Sequence, residues 1–265
     1  MLTIKLQGGL GNQLFQLAFL LYISKISGIP YFLQDLQSPL TIHSREQYFE
    51  SIFKNFKDKL KNLSISRTLI ENFGLSIEDW KSKINFTEHT EFFGYFQRYE
   101  YTDLVRQEFI SSLSFNHSIL DKYPDIKRKF FIHVRGGDYR KIQLHNVDLT
   151  EYYKKCLELC RGEEFIIFTN DIPYANTLLP GIQIIEESEI DSLFLMSQCK
   201  GCICANSTFS WWGAYLNPYR PIYFPSIWFN NRMDTSGLYF KEVTKIEITQ
   251  SSNMKKTVGK IFRRY

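Results

Sequence analysis

The sequence predicts an α/β protein built on parallel sheets, and three observations carry that expectation. From residue 129 onward, short apolar runs alternate with helical stretches across short connections, the pattern of parallel strands joined by crossover helices. The first thirty-five residues outline a β-α-β unit of their own. With 265 residues, 44% hydrophobic and 16% aromatic, the chain can bury one large core or two smaller ones.

Taken in order, "LTIKL" reads as a strand, "QGGLGN" as a glycine turn and "NQLFQLAFLLYISKIS" as a helix closed by Gly28 and Pro30. A second strand, "YFL", ends at Asp35. Residues 40 to 90 read as interrupted helix rich in Lys, Asn and Phe, followed by a strand in "FFGYFQ" at 92 to 97 and a helix over 99 to 113. The helical pattern gives way around residues 114 to 128, which places a boundary between halves 1–115 and 116–265. Beyond it come strand "KFFIHV", helix "DLTEYYKKCLELC", strand "EEFIIFT", a short helix near 172, strand "IQII", helix "DSLFLMSQC", strand "GCICA", helix "FSWWGAYL" and strand "PIYF".

Parallel sheets bind ligands at the carboxyl ends of their strands, so residues just behind each strand are the candidates for chemistry. In "GGLGNQ", Gly9 and Gly11 half-match a dinucleotide fingerprint, and Asp35 lies at the distance of a ribose contact. Leu14 stands where the third glycine belongs, and a tight turn accounts for the same residues. In "IHVRGGDYR", Arg135 leaves a strand before two glycines, with His133 on the same strand face. A guanidinium there suits a phosphate, while Arg135 and Asp138 also fit a surface ion pair beside a turn. Asn170 and Asp171 close the next strand, as a ribose or base contact or as ordinary turn residues. Asn206, Ser207, Thr208 and Ser210 crowd a helix start, where hydroxyls and free N–H groups make either a diphosphate site or an N-cap.

Composition narrows the classes. Residues 251 to 265 hold five of the basic residues and no acid, so a net charge of +4 becomes −1 for the body, and nucleic-acid binding is poorly supported. That tail reads as a frayed terminus or as a peripheral contact with an anionic membrane. Neither a leader pattern nor a long apolar run is found, which implies a cytoplasmic protein, at most peripheral on a membrane. Cys199, Cys202 and Cys204 superficially resemble zinc ligands, but they fall in a buried helix end and strand, as Cys156 and Cys160 fall on an apolar helix face. Neither a phosphate loop nor a D-x-D metal-nucleotide pair is present, so no metal is expected and arginine with helix ends should neutralise any phosphate.

In this order, "GGLGNQLFQLAF", "GYFQ", "HVRGGDY" and "LMSQCK" with "ANSTFSWWGAYL" resemble glycosyltransferase family 11, the α-1,2-fucosyltransferases, from Gly8 to about Trp228. The resemblance implies a GT-B-like fold, two Rossmann-like halves whose parallel sheets face a central cleft. It implies GDP-β-L-fucose as donor, bound mainly by the second half. The acceptor is then a galactose-terminated or lipid-linked glycan, fucosylated at the 2-hydroxyl with inversion and without a cofactor. On this reading Arg135, Asn12 and Asp138 are catalytic. Gly9, Gly11, His133, Asn170, Asp171, Asn206, Ser207, Thr208 and Ser210 bind the donor, and Gln97 and Asp35 the acceptor. The family's element carries two successive arginines where this chain has Arg135 and Gly136, and Arg140 or Lys141 is the expected substitute. A fucosyltransferase of another linkage, a nicotinamide-dependent oxidoreductase and a sugar-binding protein are the competing classes.

Overall fold

The computed structural model describes residues 1–34, 48–71, 79–80, 82, 88–231 and 233–248. Asp35 and the basic tail at 251 to 265, with its membrane reading, lie outside the described residues.

The first half carries strands β1 (Leu2–Ile4), β2 (Leu33–Gln34), β3 (Leu60–Lys61), β4 (Arg67–Ile70) and β5 (Thr90–Phe93), with helix α1 (Leu10–Ser27) after β1. β1, β5 and β4 pair in parallel, as do β2 and β3. A bridge from Leu2 to Tyr31 joins the two groups, so the strands run 3-2-1-5-4 across the half. The helical expectation for residues 40 to 90 is corrected at 60 to 70. Those strands are short and the outer one is largely exposed, so they show neither apolar run nor alternation. The expected helix over 99 to 113 is two pieces, α2 (Tyr99–Asp103) and α3 (Arg106–Ser112).

The second half follows the expected alternation. After α4 (Ile119–Lys122) come β6 (Lys129–Val134), α5 (Thr150–Leu159), β7 (Glu164–Thr169), α6 (Ile172–Leu178), β8 (Gln183–Ile185), α7 (Glu189–Gln198), β9 (Gly201–Ile203), α8 (Thr208–Tyr215) and β10 (Ile222–Pro225). An unforeseen strand, β11 (Val243–Ile246), completes the sheet. Its order is 11-10-9-6-7-8, all parallel, which is the doubly wound order 3-2-1-4-5-6 renumbered. The order reverses between β6 and β9, and in the first half between β1 and β5. A crevice opens at each reversal, on the carboxyl side of the strands.

The two halves share a core. Helix α1 is buried on almost every side from Leu10 to Ile23, which fits its weak amphipathicity. Phe15 of α1 lies 4.4 Å from Trp211 and 5.2 Å from Trp212 of α8, ring to ring. All five cysteines are buried free thiols, and burial pushes Cys156 and Cys199 up to about 12. Among the described residues, no cluster of three or more His, Cys, Asp or Glu side chains is placed to hold a metal, and no helix is long and apolar enough to cross a membrane.

Candidate active site

The chain reversals bring the loops after β1, β5, β6, β9 and β10 around one cleft of about 410 Å³. The loop after β1 turns at Gly8, whose φ of +75° suits glycine, and Gly9 caps α1 in extended geometry. Gly11 sits against the start of α8: a Cβ there would fall 2.6 Å from the Thr208 carbonyl carbon and from the Phe209 nitrogen. Only a glycine lets the two helix N-termini approach this closely. Ser207 caps α8, its Oγ accepting the Phe209 N–H at 3.3 Å. Both helices thus direct first-turn N–H groups and their positive dipole ends toward the same region.

Asn12 ties the loops together. Its Oδ1 accepts the Thr208 hydroxyl at 2.9 Å and the Gln97 Nε2–H at 3.0 Å, one donor from each half. Because that oxygen is taken twice, the amide nitrogen is the side of Asn12 that can donate to a ligand.

Arg135 leaves β6 with its side chain about a quarter exposed. Its guanidinium is 2.8 Å from Asp138 Oδ1 and lies over the Tyr139 ring, 4.7 Å from the centroid. Tyr139 stacks on His145 at 4.5 Å, and His145 meets Phe229 at 5.5 Å, so one wall of the cleft is aromatic. Burial pushes the Tyr139 hydroxyl up and the His145 imidazole down, keeping both neutral. Among the described residues, Arg135 Nε and His145 Nδ1 are buried without a hydrogen-bond partner.

Of the residues singled out in the sequence, Gly9, Gly11, Asn12, Gln97, Arg135, Asp138, Ser207 and Thr208 line the cleft. The others expected to touch donor do not reach its wall. Asn170 Oδ1 accepts the Gly136 N–H and Asp171 Oδ2 the Gly137 N–H, both at 2.9 Å, so this pair holds the loop that carries Arg135. The Gly137 N–H in turn holds the Asp171 carboxyl below its ordinary range. Asn206 is buried and donates to the carbonyls of His145 and Trp228, fastening two cleft walls. Ser210 spends its hydroxyl on Ala205 and Ser207 carbonyls. His133 is buried against Phe209, and burial followed by the nearby Arg135 charge lowers it to about 3.

Gly136 also has a local reason. A Cβ on it would fall 2.5 Å from Asp171 Oδ2, so an arginine is incompatible with the bond from Gly137 to Asp171. Arg140 does not replace the missing cation in the cleft: its guanidinium lies 4.5 Å from the Tyr174 ring centroid and 3.6 Å from Asp171.

The sequence reading missed Tyr139, His145 and the segment after β10, where Trp228, Phe229 and Asp234 close one side of the cleft. The strand-end rule applies to "PIYF" as it does to the others, and would have pointed to this segment. A second cavity, of about 460 Å³, shares only Glu189 with the cleft.

Known proteins agree with this architecture. A family model described as "Glycosyl transferase family 11" matches residues 1–242. The O-antigen biosynthesis glycosyltransferase WbnK of Escherichia coli is 34% identical, over 53% of this chain and 56% of its own length, so that match spans little more than half of the relative. An alpha-1,2-colitosyltransferase of Escherichia coli is 27% identical, over 81% of this chain and 87% of its own. Galactoside alpha-(1,2)-fucosyltransferase 2 of Gorilla gorilla gorilla is 25% identical, over 84% and 71%. Among solved structures, the fucosyltransferase NodZ from Bradyrhizobium superposes with a TM-score of 0.55 at 11% identity, covering 82% of this chain and 93% of that one. That likeness is one of fold, two parallel-sheet halves of GT-B type. The family match runs from the first residue through the last strand-bearing segment but one, and on that ground the chain belongs to glycosyl transferase family 11.

Proposed function

We propose that the protein is an inverting α-1,2-fucosyltransferase that moves L-fucose from GDP-β-L-fucose to the 2-hydroxyl of a galactose-terminated glycan. The observation that carries the reading is the convergence of two helix N-termini, Asn12 and Arg135 on one cleft. In such a transfer the bond from the anomeric carbon to the β-phosphate oxygen breaks while the acceptor oxygen attacks from the opposite face and its hydroxyl proton passes to solvent. Negative charge gathers on departing GDP, so the donors to phosphate are the groups that matter most. Arg135 supplies the charge, the N–H groups at the starts of α1 and α8 supply dipoles, and Asn12 Nδ2 donates to the leaving oxygen. Asp138 keeps the guanidinium in place at 2.8 Å. The aromatic wall of Tyr139, His145 and Phe229 suits a nucleobase or sugar ring.

Membership of a glycosyl transferase family weighs against the nicotinamide-dependent oxidoreductase. The α-1,2 linkage is supported by the names of two relatives, which differ in the sugar they transfer. Colitose is therefore the second reading for the donor. Incubation with GDP-fucose or GDP-colitose and lactose, followed by linkage determination, separates the two. The expected result is an α-1,2-fucosylated product with release of GDP, undiminished by EDTA because arginine and helix ends provide the positive charge. Absence of GDP release with both donors and several β-galactosides sinks the proposal.

A further inference from the structure

We propose that Glu71 is a positioning residue for acceptor use, holding the turn that presents Gln97 to the cleft; this rests on the glycosyl-transfer reading above. Glu71 follows β4, beside the turn Gly94–Gln97 that follows β5. Its two carboxylate oxygens accept two successive backbone donors, the Tyr95 N–H at 2.7 Å and the Phe96 N–H at 3.0 Å. No ordinary strand edge offers such a pair. Phe96 has a φ of +51°, a left-handed conformation that a bulky residue adopts only when its surroundings impose it. The imposition comes from two sides. The Phe96 ring is buried and stacked on Phe19 at 3.9 Å, and the carboxylate fixes the backbone. Gly94 completes the fit, because a Cβ on it would fall 2.6 Å from Glu71 Oε2, and its carbonyl accepts from the buried Gln16 at 2.9 Å.

The consequence lies in the cleft. Tyr95 and Gln97 both line it, and Gln97 donates to Asn12 at 3.0 Å. They stand on the first half, across from Arg135, Ser207 and Thr208, whose loops are held by Asn170, Asp171 and the α8 cap and not by Glu71. Loss of the carboxylate therefore disturbs the acceptor side directly, and reaches the phosphate side only through the bond from Gln97 to Asn12, which the Thr208 hydroxyl still anchors from the second half.

The test is steady-state kinetics of Glu71→Gln and Glu71→Ala with GDP-fucose and lactose, alongside the heat protection that GDP gives each variant. The expected result is an acceptor KM raised at least tenfold in Glu71→Ala and by less in Glu71→Gln, which keeps one acceptor oxygen. The donor KM and the GDP-induced rise in melting temperature should stay within twofold of wild type. An acceptor KM within twofold of wild type in the folded variants overturns the proposal, as does a donor KM that rises equally. A fall in kcat with both KM values unchanged reports a smaller active fraction, a purely structural role, and overturns it too. Should Glu71→Ala not fold, Glu71→Gln decides by the same criteria. Wild-type protein inert toward every sugar-nucleotide donor overturns the function reading first, and this proposal with it.

Discussion

Asn12 has two side-chain donors on one oxygen, and a nearly isosteric change isolates what its nitrogen does. Asn12→Asp keeps both bonds and replaces the amide donor by negative charge near the leaving phosphate. The expected outcome is a kcat lower by about a hundredfold or more with the melting temperature little changed; kcat within threefold of wild type removes Asn12 from the chemistry. Arg135→Ala should bind GDP weakly and turn over negligibly, and near-normal activity refutes its assignment. His133 serves a different prediction. It stays neutral in the folded protein down to about pH 3, whereas its ordinary value is 6.5. The unfolded chain therefore binds the extra proton between these limits. Stability from this residue is complete above pH 6.5 and is lost as pH falls toward 3, by up to about 1.4 kcal/mol per pH unit. Urea melts of His133→Gln should show a shallower acid slope than wild type, and parallel slopes would contradict the burial argument. At this scale the sequence was legible wherever a polar residue sat directly behind an apolar strand, as for Arg135 and Ser207. At Asn170 and Asp171 it did not show the bonds to the neighbouring loop, because the same strand-end position serves a ligand or a neighbouring loop, and the partner across the sheet is not visible in the chain order.

Elements set how closely such residues meet. The starts of α1 and α8 touch at Gly11, where the atoms opposing a new Cβ are backbone and cannot rotate away. Gly11→Ala should cost about 1–3 kcal/mol, a fall of several degrees in melting temperature, and should lower turnover by displacing Asn12 from Thr208. An alanine variant with wild-type stability and kinetics would mean that the helices separate freely. The loop after β6 yields a related prediction. Restoring the second arginine, as Gly136→Arg, should lower activity, because its Cβ meets Asp171 and breaks the bond that holds Gly137. Higher activity would show that the loop has room which the geometry denies. The strands of the second half were legible as near-continuous apolar runs because the sheet is covered on both faces. β3 and β4 were not: two and four residues long, largely exposed, they carry too little burial to impose a period. The turn at Gly94–Gln97 was readable as a motif, but its clamp was not, since Glu71 is more than twenty residues away in a stretch that reads as polar helix.

At the scale of the molecule, the question is whether the halves behave as one body. Their sheets are separate, but both face one cleft and one apolar core passes between them, with Phe15 of α1 packed on Trp211 and Trp212 and Trp211 on Phe240. Phe109 of α3 adds a ring 5.4 Å from Trp212, and Arg106 donates to the Tyr215 carbonyl at 2.9 Å while Asp103 accepts the Tyr215 hydroxyl. A boundary with few crossing contacts would let the halves melt independently. This one buries large aromatic surface, so unfolding either half exposes the core of the other. The expected calorimetric trace is a single transition. GDP at a hundred times its Kd should raise it by about 2.7 kcal/mol, or roughly 5–10 °C for a chain of this size. Hydrogen exchange around Trp80 of the first half, which does not line the cleft, should report the same stabilisation as exchange in α8, with every tryptophan left in place. Trp211→Ala, removing the ring that Phe15 packs on, should uncouple them: GDP then slows exchange in the second half and leaves the surroundings of Trp80 opening earlier. Two transitions in the wild type, with GDP moving only one, would show that the halves are joined by the cleft loops alone.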